Sequence, residues 1–249
     1  MGLPTIVVPQ YTLTIPSTGK EVKFRPFLVK EEKILLLAME SEKTEEILLA
    51  TKTIIENCVF DNLDVDNMPT FDMEYIFLQL RGKAKGEVIE LQYKCPTCDG
   101  PIDLNINIDD VKVSKNENHT NDIKLTEDLG VIMKYPNMKL QMNIAGEAEN
   151  KNKNEIEQLF KTIIECIDYI YDKENTYPSK DHTKKEMNDF LESLTDTQFQ
   201  NIAEFFSTAP VLKHSVDLQC KNKSPKSKGK KECGYKEKKV LEGLNSFFT

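Results

Sequence analysis

The stretch Leu91-Gln92-Tyr93-Lys94-Cys95-Pro96-Thr97-Cys98-Asp99-Gly100 decides how the middle of this chain reads. Alternating residues run into a turn that carries two cysteines, and a Gly follows. Ile102, Leu104, Ile106 and Ile108 then alternate with Asp103, Asn105 and Asn107. A period of two marks a half-buried strand, so one strand enters the turn and another leaves it. The pattern has an echo near the other end of the sequence. Val216-Asp217-Leu218-Gln219-Cys220, then after twelve residues Cys233-Gly234-Tyr235, repeats strand, Cys, Cys, Gly, strand.

Structural zinc takes four soft ligands in a tetrahedron, and thiolates are a common choice. Cys95 and Cys98 supply two from one tight turn, and Cys220 and Cys233 supply two more. Gly100 is read as the residue that gives the first turn its backbone freedom. Two such turns facing each other form a zinc ribbon, expected here from residues 86–108 and 211–240. The insert Lys221 to Glu232 is rich in Lys, Ser and Gly. Closure cost rises only logarithmically with length, so it reads as a basic finger in the second turn. Disulfide pairing, a redox pair and incidental reduced thiols are the alternatives. Disulfides belong to oxidising compartments. A redox Cys-x-x-Cys opens a helix, whereas Cys98 leads through Gly100-Pro101 into a strand. Four thiolates leave no open position for water, so the zinc would be structural and without Lewis-acid chemistry. Cys58 and Cys166 lie on apolar helical faces and read as buried free thiols.

The 249 residues are 39% hydrophobic and 30% charged, with 33 basic against 41 acidic groups and a net charge of −8. That balance excludes a general nucleic-acid coat, which needs net cation. No run of about 18 apolar residues exists to span a membrane. Nor does the start resemble a secretory signal, so the product is expected to stay in the cytoplasm. Nine Lys and two Glu fall between Gln219 and Lys239, a local +7. The only arginines are Arg25 and Arg81, too few for guanine-edge or bidentate phosphate reading. His119, His182 and His214 are scattered. Gly82-Lys83-Ala84-Lys85-Gly86 lacks the Gly-Lys-Ser/Thr ending of a phosphate loop, and no Gly-x-Ser-x-Gly elbow occurs. Neither an enzyme nor a small-molecule substrate is expected.

The fold class expected is α+β, with residues 1–249 as a single interdigitated unit. Tyr11, Leu13 and Ile15, then Val22 and Phe24 across Pro16-Ser17-Thr18-Gly19, read as a hairpin within residues 1–27. Residues 28–85 read as helical, broken near Glu40-Ser41-Glu42. Residues 86–145 read as β-rich, with short strands near Ile123–Leu125, Val131–Tyr135 and Met138–Met142. Residues 155–208 read as the second helical stretch. In it, Ile156, Leu159, Phe160, Ile163, Ile164, Ile167 and Ile170 form one amphipathic helix. A loop over Asp172 to Asp181 follows, then two capping boxes, Thr183 with Glu186 and Thr195 with Gln198. Residues 209–249 complete the ribbon and the C-terminal tail.

The string Arg25-Pro26-Phe27-Leu28-Val29-Lys30-Glu31-Glu32-Lys33 after a hairpin is similar to one protein family. So are the cysteine pairs and the ending Leu241-Glu242-Gly243-Leu244-Asn245-Ser246-Phe247-Phe248. The family is that of the baseplate hub assembly proteins of T-even-type contractile-tailed phages, and the length matches its longer, assembly-factor member. The wide second cysteine spacing departs from the compact knuckle. The resemblance implies a non-enzymatic role in building the hub by contacts with other phage baseplate hub proteins. It places the chain in the host cytoplasm during assembly or in the virion baseplate. Arg25, Pro26, Phe27, Phe247 and Phe248 are the expected partner-binding residues. Pro26 holds Arg25 extended, which either presents its side chain to a partner or fixes the hairpin–helix junction. The alternative function is a zinc-ribbon regulator that binds nucleic acid through the Lys-rich finger 221–231.

Overall fold

Strands β1 (Tyr11–Thr14) and β2 (Glu21–Phe24) pair antiparallel, Leu13 opposite Val22, and turn their apolar residues inward. The computed structural model describes residues 6–148, 155–222 and 233–247. Helices α1 (Val29–Glu40) and α2 (Thr44–Cys58) follow, broken at Ser41–Lys43 as the sequence suggests, with Glu42 at φ 58°. The chain leaving α2 lies against β2: Arg25 N–H donates to the Cys58 carbonyl (2.9 Å) and Phe60 N–H to that of Lys23 (2.9 Å).

Helix α3 (Thr70–Lys85) is buried on more than one side. Ile76, Phe77 and Leu80 join Phe24, Phe27, Ile54 and Ile55 in one apolar cluster, while Leu78 joins the cluster that surrounds the cysteines. A helix walled in on several faces shows no single apolar stripe. Its first turn is tied to the hairpin by Asp72. That buried carboxylate accepts the Ser17 N–H (3.0 Å) and the Ser17 hydroxyl.

Two long hairpins come next and last. The first joins β3 (Val88–Lys94) to β4 (Pro101–Asn107). Strand β5 (Lys112–Ser114) then crosses to the end of the chain. The second hairpin joins β10 (Val211–Gln219) to β11 (Lys236–Glu242), and β5 pairs with β10 over Val211–Lys213. Ile89, Leu91, Ile102 and Ile106 of the first pack with Leu212, Val216, Leu218 and Leu241 of the second.

Between the hairpins lie β6 (Asp122–Lys124), β7 (Gly130–Met133), α4 (Met138–Ala148), α5 (Glu155–Glu165), β8 (Ile167–Tyr171) and β9 (Thr176–Pro178). Helices α6 (Lys184–Glu192) and α7 (Asp196–Thr208) complete this part. The sheet order is β6-β7-β8-β9. Both capping boxes form, Glu186 accepting the Thr183 N–H (2.7 Å) and Gln198 that of Thr195 (2.9 Å). Helices and small antiparallel sheets thus mix along the chain as expected, with three departures.

Met138–Met142 opens α4 and is no strand. Asn137 accepts the Leu140 N–H (2.9 Å) as an N-cap, and Met138, Met142 and Ala145 share the i, i+4, i+7 face of a helix. The long helix expected to Ile170 ends at Glu165, and Ile167 to Tyr171 is a strand. Met133 pairs with Ile167 and Ile132 with Tyr169, so Asp168 is an extra, bulged residue. The bulge lets Ile167 and Ile170 both face inward at a spacing that mimics helix period. The loop over Asp172 to Asp181 contains β9, because Asp172 accepts the amides of Glu174 (2.8 Å) and Asn175 (2.7 Å) and closes a tight hairpin.

The junction after the first hairpin is fixed by an ion pair. Arg25 donates to Glu31 (2.9 Å) and to the carbonyls of Pro26 (3.0 Å) and Asn57 (3.0 Å). Glu31, whose side chain is 0% exposed against 13% for Arg25, also accepts the Leu28 N–H at 2.8 Å at the start of α1. Burial pushes the Glu31 carboxyl up, but the guanidinium and that amide outweigh it and hold it below its usual value. A depressed carboxylate adds stability above its unfolded-state pKa and loses it as pH falls through the folded one. Glu31→Gln removes the charge partner of a largely buried guanidinium that keeps its two carbonyl acceptors, and should cost roughly 1–3 kcal/mol at pH 7. Urea unfolding at pH 7 and at about pH 3 checks this, because the gap from wild type should shrink in acid. An unchanged gap at both pH values would show that Glu31 acts by packing alone.

Candidate metal centre

Each hairpin ends in a turn that delivers two cysteines. In the first, Cys95 N–H donates to the Gly100 carbonyl and Asp99 N–H to that of Cys95, both at 2.9 Å. In the second, Cys220 N–H donates to the Tyr235 carbonyl (2.9 Å) and Cys233 N–H to that of Asn222 (2.7 Å). The residue after the second cysteine of each pair has a left-handed backbone, Asp99 at φ 59° and Gly234 at φ 71°. Asp tolerates this region better than most side chains. The described ends of the two turns thus share two features, the bond from the first cysteine's N–H and the left-handed residue after the second cysteine.

Their four sulfur atoms converge. Cys95 Sγ lies 3.7 Å from Cys233 Sγ, and Cys98 Sγ lies 3.5 Å from Cys220 Sγ. All four lie within 4.8 Å of one another. A tetrahedral ion with metal–sulfur bonds of about 2.3 Å sets sulfurs about 3.8 Å apart, whereas a disulfide needs about 2.05 Å. All six cysteines are free. Among the described residues, this is the group of three or more His, Cys, Asp or Glu side chains placed to share a metal ion. Cys95 and Cys220 are buried, and Cys98 and Cys233 are half-buried.

The electrostatics ask for a cation. Burial disfavours the thiolate at Cys95, but the amides of Thr97 and Cys98 and the neighbouring thiols outweigh it, and its pKa falls to about 7. The Cys98 sulfur accepts the Gly100 amide, which favours ionisation, yet burial and the other three thiols push it up to about 12. Cys233 accepts the Tyr235 amide and is still raised. Thiolates gathered this closely repel one another unless a positive ion lies between them.

Two supporting residues escaped the sequence reading. Asn222 Nδ2 donates to the Pro101 carbonyl across the hairpins (2.6 Å) and to Cys220 Sγ (3.3 Å). No motif announces it, since Asn is common in turns. The role given to Gly100 also needs correction. The left-handed residue of its turn is Asp99, and Gly100 matters for space: a Cβ there would lie 2.7 Å from Asn222 Nδ2 and 2.9 Å from Asn222 Cγ.

The other singled-out residues lie elsewhere. Arg25 is engaged with Glu31, and Phe27 is buried, its ring 6.5 Å from that of Phe77. Both are part of the hairpin–helix junction. Phe247 is fully buried in the cluster around the cysteines, and Phe248 lies outside the described residues. So does the Lys-rich finger from residue 223 to 232. Cys58 and Cys166 are buried, and burial raises them to about 11 and about 12. Among the described residues no helix is long and apolar enough to cross a membrane. His119 packs against the rings of Tyr135 and Phe205, which also contact each other, with Thr208 Oγ1 2.9 Å from Nδ1, and is not a member of the metal-sharing group.

Comparison with known proteins gives a match along nearly the whole chain. The family model described as T4 bacteriophage base plate protein matches residues 8–249. The chain is 25% identical over 241 residues to the baseplate hub assembly protein gp26 of Enterobacteria phage T4. That alignment covers 96% of this chain and 98% of the relative. No solved structure matches. With both cysteine hairpins and the Arg25–Phe27 junction inside the matched span, the chain belongs to the T4 bacteriophage base plate protein family.

Proposed function

We propose that this protein is a non-enzymatic assembly factor of the phage baseplate hub that acts through contacts with other hub proteins. The observation that carries the reading is the match over nearly all of both chains to a hub assembly protein. On this reading it works in the host cytoplasm during assembly or stays in the virion baseplate. The comparisons do not favour the regulator reading.

The four-cysteine centre holds structural zinc in this proposal, with Cys95, Cys98, Cys220 and Cys233 as ligands. The fit to a tetrahedron supports it. The two hairpins then form the halves of a zinc ribbon. Zinc bound there supplies a cross-link and no chemistry, because no position is left for water. Asn222 and the turn amides orient the sulfurs, which is how outer contacts tune a metal site. The ribbon's halves flank residues 112–208, so the whole chain is read as one interdigitated unit.

Purified protein should carry about one zinc per chain, and Cys95→Ser or Cys220→Ser should lower this to a small fraction. Losing a structural metal costs several kcal/mol, and at about 2–4 °C per kcal/mol the melting temperature should fall by on the order of 10 °C. A strong chelator should reproduce the fall in wild type and do little in either variant. Metal analysis with thermal unfolding checks both, and metal-free protein as stable as the purified form would sink the zinc reading.

Gly100→Ala should weaken metal retention without removing a ligand, because its Cβ displaces Asn222. Competition with a chromogenic chelator should show roughly a 10–100-fold loss of affinity, the usual range for a disturbed outer contact.

Tagged protein from infected cells should co-purify with baseplate proteins and leave a labelled oligonucleotide unshifted at moderate salt. A steep salt-dependent shift without co-purification would favour the regulator instead.

A further inference from the structure

Helix α1 carries more apolar side chains than this chain buries. Its inner side is set by Glu31 and Ala38, which are buried, and by Leu35, which packs against the cluster of the first hairpin. Residues four, seven, eight and eleven apart share a helix face, so the opposite side presents Val29, Lys33, Leu36, Leu37 and Glu40. Val29 is 81% exposed, Leu36 56% and Leu37 57%, with Met39 (46%) at the margin. Single exposed apolar residues are ordinary. Here, with Leu28, five of the thirteen large apolar side chains exposed among the described residues fall within residues 28–39. Apolar surface gathered in one place marks a contact. We propose that this face of α1 pairs with the same face of a second copy of the chain, the two helices antiparallel about a two-fold axis beside Leu36 and Leu37.

The charges on the face select the occupant. Lys33 lies one helical turn before the Leu36–Leu37 pair and Glu40 one turn after it. Their neighbours are spoken for: Glu31 by Arg25, Glu32 by Lys85, and Lys43 by Glu46 at 3.2 Å. Among the described residues, Lys33 and Glu40 form no ion pair within the chain. In a contact about a two-fold axis, residue i meets residue j and j meets i. An axis midway between residues 36 and 37 sets each Leu36 beside the other copy's Leu37, and each Lys33 beside the other copy's Glu40. Lys30 then comes opposite the turn after α1, where Glu42 and Glu45 leave an acidic excess around the Lys43–Glu46 pair. A parallel pair would instead set Lys33 on Lys33 and Glu40 on Glu40, and such like-charge contacts exclude it. A face that is basic at its start and acidic at its end is thus complementary to itself in one orientation.

The size of the face sets the strength of the contact. Helix α1 is about 18 Å long, so the pairing buries much less than the roughly 800 Å² per partner of a stable complex. Association is therefore weak and depends on concentration, with monomer and dimer exchanging. The inference concerns copy-to-copy contact and stands apart from the hub-assembly reading.

The test is sedimentation velocity on the full-length protein at low salt. As concentration rises, the average mass should climb from that of one chain toward two, with half-association on the order of 100 µM. Leu36→Glu lies on the exposed side of α1 and should hold the protein monomeric throughout, while an unchanged melting temperature shows that the fold survives. Lys33→Glu and Glu40→Lys should each weaken self-association by about tenfold or more, because the two-fold axis makes each altered pair repulsive twice. Mixed in equal amounts, those two variants should associate with each other within about threefold of wild type, since one copy then carries acid at both positions and the other base at both. Wild type that stays at the mass of one chain at every concentration would overturn the proposal. So would association that survives Leu36→Glu, or a mixture no tighter than either variant alone. Monomeric wild type that captures a baseplate protein, with capture lost in Leu36→Glu, would likewise overturn it and assign the face to that protein, leaving the assembly role standing.

Discussion

Four sulfur atoms held within 4.8 Å of one another are the constraint on which the two ends of this fold depend. They come from turns whose paired cysteines are 122 and 138 positions apart in the chain. Everything between β4 and β10, including the β6-β7-β8-β9 sheet and helices α4 to α7, is carried inside that closure. Closing so long a loop costs little more than closing a short one, because the cost grows only with the logarithm of length. Four thiolates in one place are far more demanding. Their mutual repulsion means that the arrangement is stable as a charged cluster only around a cation.

Helix α3 couples that centre to the rest. One part of its surface completes the cluster that holds the first hairpin and α2, while Leu78 completes the cluster around the cysteines. Its N-terminal turns are also tied. Asp72 grips the Ser17 turn near the start, and Glu74 accepts the Leu244 N–H (3.2 Å) from the tail. Gly82 lets Ile108 approach so closely that a Cβ would lie 3.0 Å from Ile108 Cδ1. A shift of the cysteine hairpins would therefore press on the helix and through it on the N-terminal hairpin. Close-packed interiors transmit such strain because they have no slack.

Much of this was legible in the residues, and the failures have physical causes. The cysteine pairs could be read because thiolate chemistry restricts both residue type and spacing. The capping boxes at Thr183 and Thr195 could be read because two side chains satisfy two amides over three residues. Met138–Met142 misled because three apolar residues at alternate positions fit a strand and half a helix equally, and the arbiter was the cap at Asn137. Ile167 and Ile170 misled because a bulge at Asp168 converts strand spacing into helix-like spacing. That information lies in the pairing with β7, which no local window contains. Asn222 and Asp99 could not be read at all, since their roles exist only once the two hairpins meet.

The packing of the fold also leaves little of the residues expected to bind a partner free to do so. Arg25, Phe27 and Phe247 have their polar and apolar surface engaged within the fold. A partner could reach them only by undoing interactions that hold the junction or the core together.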